Sequence, residues 1–187
     1  MNYLGLDCSS KAVHGVIITE TEAILHKLKF DGVSKGSLIP YVPDVDNRLF
    51  QIFDKFAGYL NQELEYNNIQ CSAIEAAIYI QNARTTMNIS GVVSVAKYLL
   101  HTKGILCYPV DNRTWKNRIV GKGNAGKPDI KKFAVDKWGD VFPEQDYADA
   151  ACIALWAKRY SRQGFDVEAS KTKPIKESVN RILGKES

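Results

Sequence analysis

Three aspartates carry the first chemical signal in this chain. Asp7 ends the apolar run "YLGLD", and a carboxylate at a strand exit costs stability unless it is hydrated, paired or bound to a cation. Asp146 and Asp149 stand three residues apart in "DYADAACIALWA" (146–157), a helical spacing that places both carboxylates on one face. Both fall in the opening turns of that helix, where the dipole favours negative charge. Capping alone explains one such acid easily, and two together with Asp7 less well. Three convergent carboxylates without histidine or cysteine describe a hard-cation site for Mg²⁺ or Mn²⁺. Beside a basic, glycine-rich segment, the matching chemistry is phosphodiester hydrolysis. Two ions about 4 Å apart would activate water and stabilise the leaving oxygen.

The basic segment spans Asp111 to Lys132, with seven Lys and Arg against two Asp, in a chain whose net charge is only +4. A polyanionic partner follows naturally, although a solvated loop would look equally basic. Lys116, Arg118, Lys122 and Lys127 are the expected phosphate contacts, with the glycine-rich 121–126 loop open to close backbone approach. Trp115, within this segment, reads as a packed tryptophan rather than one stacked on DNA.

The elements that must position these groups read as follows. Residues 2–10, 12–19 and 23–30 form three short strands of an antiparallel meander. Residues 31–45 hold two Gly and two Pro and read as a loop. A helix is predicted over about 46–66, a buried strand over 74–81, and a helix over about 88–103. A fifth strand follows at 104–110, then helices at about 128–138 and 145–162. Three antiparallel strands followed by helix–strand–helix–strand–helix predict an α/β fold. Its five-stranded sheet is mixed, with helices packed on it, and functional groups gather at the strand ends.

The bulk properties exclude several classes. The 187 residues suit one domain, placed at 1–163, with a charged tail at 164–187. Cys8, Cys71, Cys107 and Cys152 are far apart and read as reduced thiols of a cytoplasmic protein. His14, His26 and His101 are scattered and suggest neither a triad nor a metal cage. No apolar run approaches the ~20 residues that span a membrane.

Four marks, in order, resemble the RuvC-type Holliday-junction resolvases of the RNase H-like superfamily, a short phage-type member among them. They are "LGLDCSS" at the first strand, "IYIQ" with Asn88 seven residues beyond Gln81, "TWKNRIVGKGNAGK" (114–127) and "DYADAACIAL" (146–155). The resemblance covers about residues 2–160. It implies an RNase H-like nuclease, two Mg²⁺ per active site with Mn²⁺ as an alternative, and a homodimer. That dimer would grip a four-way DNA junction and nick two strands symmetrically, inside the bacterial host cell if the chain is phage-encoded. The family's four metal-binding positions map onto Asp7, Gln81, Asp146 and Asp149, and its DNA-contacting lysines onto Lys116 and Lys127.

Position 81 departs from the family, which has glutamate at the end of that strand. A glutamine offers one carbonyl oxygen and no charge, so the expectation is a chain that binds junctions and cuts weakly or not at all. Arg84 falls where some members carry an aromatic wedge; it is expected to act at the crossover or to be a plain surface residue. Two alternatives remain open here: a non-catalytic junction-binding protein, and a broader branched-DNA or flap nuclease.

Overall fold

The computed structural model describes residues 1–33, 44–62, 67–76 and 83–160. Val, Ile and Leu recur in the first three strands, β1 (Asn2–Cys8), β2 (Ala12–Thr19) and β3 (Ile24–Asp31), which form the expected antiparallel meander. β4 (Ile69–Glu75) lies parallel to β1, and β5 (Leu106–Val110) parallel to β4, giving the order β3-β2-β1-β4-β5. The mixed sheet has the predicted composition.

Helices cover both faces. α1 (Asp44–Gln62) and α2 (Ala83–Thr102) set Ile52, Phe56, Leu60, Val92 and Leu100 against Leu4, Leu6, Ile17 and Ile74. The other face carries α3 (Asn112–Val120), α4 (Lys127–Trp138) and α5 (Gln145–Tyr160), whose core joins Trp115, Ile119, Ile130 and the alanines of α5 to Tyr3, Val16 and Ala73. α5 is buried from Ala150 through Leu155, apolar all round, as a central helix must be.

Two sequence expectations change. The strand predicted over 74–81 starts earlier, at Ile69, and is described as far as Glu75; residues 77–82 lie outside the described residues. Pairing fixes these residues: Leu6 partners Ile74 on one side and Val110 partners Glu75 on the other. Gln81 lies outside the described residues, as do most of the 31–45 loop and the tail from 161. Secondly, α3 forms inside the segment read only as basic and glycine-rich. Asp111 caps it by accepting from the Thr114 N–H at 2.9 Å, and Gly121 ends it with φ +85°.

α5 sits on β1 with almost nothing between. A Cβ on Gly5 would lie 2.1 Å from the Ala150 carbonyl oxygen and 2.2 Å from the Ala154 nitrogen. Only a residue without a side chain permits that approach. At the opposite end of the sheet, Glu22 in the β2–β3 turn ties down α4 and α5. Its carboxylate accepts from Lys137, from Lys158 at 3.2 Å and from Arg159 at 3.1 Å, while its carbonyl accepts from Trp138 Nε1 at 2.7 Å. Burial pushes this carboxyl up, but the hydrogen bonds from Arg159, Lys137 and Lys158 outweigh it and hold it at about 2 against an ordinary 4.5.

Gly5→Ala should lower unfolding free energy by at least about 3 kcal/mol, read from the urea midpoint, because backbone rather than a flexible side chain must move. The Glu22 carboxyl is depressed in the folded state. Its stabilisation is therefore fully present above about pH 4.5 and lost as pH falls toward 2. Glu22→Gln should cost about 2 kcal/mol at pH 7 and flatten the acid limb of the stability curve over that window.

Candidate metal centre

Strand pairing assembles the site before any helix contributes. Asp7 is paired with His14 across β1 and β2, and His14 with Lys29 across β2 and β3. Glu75 follows directly on the Leu6–Ile74 pair of β1 and β4. Residues directly opposite in a sheet share a face. Four strands therefore present a row, Glu75, Asp7, His14 and Lys29, beneath the first turns of α5.

α5 then lowers its acids onto this row. Asp7, Asp146 and Asp149 each bring a carboxylate oxygen within 4.8 Å of the other two. Glu75 stands beside them, its Oε1 accepting from Asn112 Nδ2 at 2.8 Å and its Oε2 from Trp115 Nε1 at 2.9 Å. Gln145 Nε2 donates to Asp149 Oδ1 at 3.1 Å.

The electrostatics record how unfavourable this gathering is without a cation. Burial pushes the Asp7 carboxyl well above the usual range, and Glu75, Asp149 and Asp146 push it further, opposed by Lys127. Burial likewise raises Asp149 to about 6. Glu75 and Asp146 add to that rise, while Gln145 and Lys116 oppose it. An all-oxygen donor set of this density suits Mg²⁺ or Mn²⁺.

The structure thus brings Asp7, Asp146 and Asp149 together, as their spacing predicts. Gln81 lies outside the described residues; the acid that ends the described strand is Glu75. Lys116 lies with its Nζ 5.5 Å from the Trp115 ring centre, and it and Lys127 act on Asp149 and Asp7 respectively. Arg118 stacks over Tyr160 at 5.4 Å, Lys122 pairs with Asp129 at 3.2 Å, and Arg84 is exposed in the first turn of α2. Trp115 is fully buried, as expected.

Sequence reasoning missed Glu75, its supports Asn112 and Trp115, and two further neighbours. His14 and Glu144 form a second group with Asp146, so the histidines are not all remote from the site. The findable signal was the alternation Cys71, Ala73, Glu75, whose last member points where Asp7 points.

Repulsion among these carboxylates should be relieved by Asp149→Asn. At pH 8 without divalent ions, we expect that variant to be about 2 kcal/mol more stable than the parent, or roughly 4–8 °C by calorimetry. Mg²⁺ should raise the melting temperature of the parent and leave the variant nearly unmoved.

No protein-family model matches the chain, and no curated protein matches it. Solved structures do. Thermus thermophilus RuvC superposes with a TM-score of 0.68 at 15% identity, over 88% of this chain and 97% of that one. The same enzyme in complex with Holliday junction substrate gives 0.69 at 16% identity, over 88% and 96%. The yeast mitochondrial Holliday junction resolvase Ydc2 gives 0.55 at 15% identity, over 86% and 80%. This chain therefore has the fold of the RuvC-type Holliday junction resolvases, a mixed five-stranded, RNase H-like sheet with helices on both faces.

Proposed function

We propose that this chain is a divalent-metal-dependent endonuclease that resolves four-way DNA junctions. The observation that carries the reading is the acid cluster, with Asp7, Asp146 and Asp149 within 4.8 Å of one another and Glu75 beside them. It is supported by likeness to a RuvC solved in complex with Holliday junction substrate and to a mitochondrial Holliday junction resolvase.

Asp7, Glu75, Asp146 and Asp149 would hold two Mg²⁺. When bound, the ions supply the positive charge that activates a water and stabilises the leaving oxygen. The remaining work belongs to the chain. Asn112 and Trp115 fix the Glu75 carboxylate from both oxygens, and Gln145 fixes Asp149. Lys116 and Lys127 sit close enough to oppose the acids' charge, which also places them to meet a phosphate at the site. Arg84, Arg118 and Lys122 complete the proposed phosphate contacts. A second copy of the chain, docked on the α2 face where Met87 is 73% and Tyr98 65% exposed, would supply the second active site that symmetric nicking needs.

Glu75 also removes the reason to expect an impaired enzyme. The strand-end carboxylate is present, six positions before Gln81, so the chain is proposed to be active. The position three residues past the acid is then 78, outside the described residues, and Arg84 loses its correspondence with a wedge.

Glu75→Gln should lower Mg²⁺-dependent cleavage of a synthetic four-way junction by about 100-fold or more and leave junction binding within a few-fold. Gln81→Glu should change neither. If cleavage survives Glu75→Gln but rises with Gln81→Glu, the metal centre has been placed on the wrong residue. Three-way and flap substrates in the same assay test the broader branched-DNA reading, and binding should weaken steeply with added salt.

A further inference from the structure

His14 lies beside the acid cluster yet belongs to none of the positions that would hold the ions. It is 3% exposed and is wedged between β2 and α5. Its Nδ1 is 3.6 Å from Asp146 Oδ2 and its Nε2 is 3.4 Å from Glu144 Oε2. Tyr147 packs edge-on against the ring, centres 5.0 Å apart at 85°, which fixes its plane. Nε2 is buried without a hydrogen bond, an arrangement that burial disfavours and packing alone does not require.

We propose that His14, backed by Glu144 and Lys29, is a positioning residue that orients the Asp146 carboxylate for metal binding. This rests on the metal-centre reading above. Asp146 is the carboxylate shared by both clusters, one with Asp7 and Asp149 and the other with His14 and Glu144. Glu75 is held by two donors and Asp149 by Gln145. For Asp146, whose side chain is 40% exposed, the facing buried polar group is His14. Behind His14 the chain of contacts continues. Lys29, the cross-strand partner of His14, donates to both Glu144 oxygens at 2.7 and 2.9 Å. That engagement leaves Glu144 a poor ligand for an ion of its own and a good anchor for the imidazole.

The contacts of 3.4 and 3.6 Å exceed hydrogen-bond length. The Asp146 contact would close with a small rotation of that carboxylate, as supporting contacts do when the first ligands settle on a metal. The arrangement follows from pairing: one row of the sheet places an acid, an imidazole and an ammonium on successive strands, and α5 answers with Asp146 and Glu144.

The test titrates Mn²⁺ into the full chain by calorimetry, with the melting temperature of the metal-free protein measured alongside. His14→Ala should weaken Mn²⁺ binding about 10–100-fold with the same number of ions bound, a loss larger than the fall in metal-free melting temperature accounts for. His14→Asn, which keeps a donor near Nδ1, should restore most of the affinity. Unaltered Mn²⁺ affinity in His14→Ala overturns the proposal. So does loss of one whole ion, which would make His14 a ligand, and so does a fall in affinity that merely tracks a fall in melting temperature. Should His14→Ala not fold, Glu144→Gln decides: several-fold weaker Mn²⁺ binding supports the proposal and parental binding overturns it. Asp7→Asn is the control for the underlying reading. If it binds Mn²⁺ like the parent, the metal centre itself is misplaced, a failure distinct from that of His14.

Discussion

The backbone of α5 lies so close to β1 that a methyl group on Gly5 would collide with the Ala150 carbonyl. Everything chemical in the molecule depends on that approach. The run from Ala148 to Ala157 supplies mostly small side chains, so helix and strand meet with little intervening volume. Asp146 and Asp149 arrive directly over Asp7 in consequence. A larger residue at either surface would lift the helix and separate the carboxylates before it touched any of them. Interiors are close-packed, and such strain has nowhere to dissipate.

α5 is anchored unequally at its two ends. At its C-terminal end, Lys158 and Arg159 converge with Lys137 on Glu22, so one carboxylate is met by three cations. At its N-terminal end, acids meet acids, and burial with mutual repulsion drives Asp7 and Asp149 away from their charged forms. The first arrangement stabilises the fold. The second costs stability and is the kind of local conflict that persists where function requires it. A cation bound there would relieve the conflict at the N-terminal end.

Much of this was legible beforehand, for reasons that differ by element. The meander was visible because strands with short connections carry their own alternation and turn signals. α5 was visible because two acids at helical spacing open an apolar run. The start of β4 was harder to see, because the apolar signal is strongest after Glu75 and the residues before it, "IQCSA", are mixed. α3 was hidden by its charge, although Asp111 and Gly121 bracket it with ordinary cap chemistry. His14 was overlooked because a lone histidine in a strand signals nothing until its neighbours across the sheet are known.

The sequence by itself determined the residue types: aspartates at a strand exit and a helix start, a basic segment between them, and a glycine where the helix must come close. These are local, and each is encoded within a few residues. Only the tertiary structure decided which acid completes the cluster. Glu75 stands beside Asp7 because Ile74 pairs with Leu6, and His14 reaches Asp146 because β1, β2 and α5 enclose it. Parallel pairing is fixed by hydrogen bonds between residues nearly seventy positions apart. A shift of one residue would turn every side chain of the strand to the opposite face, and no local signal distinguishes the two.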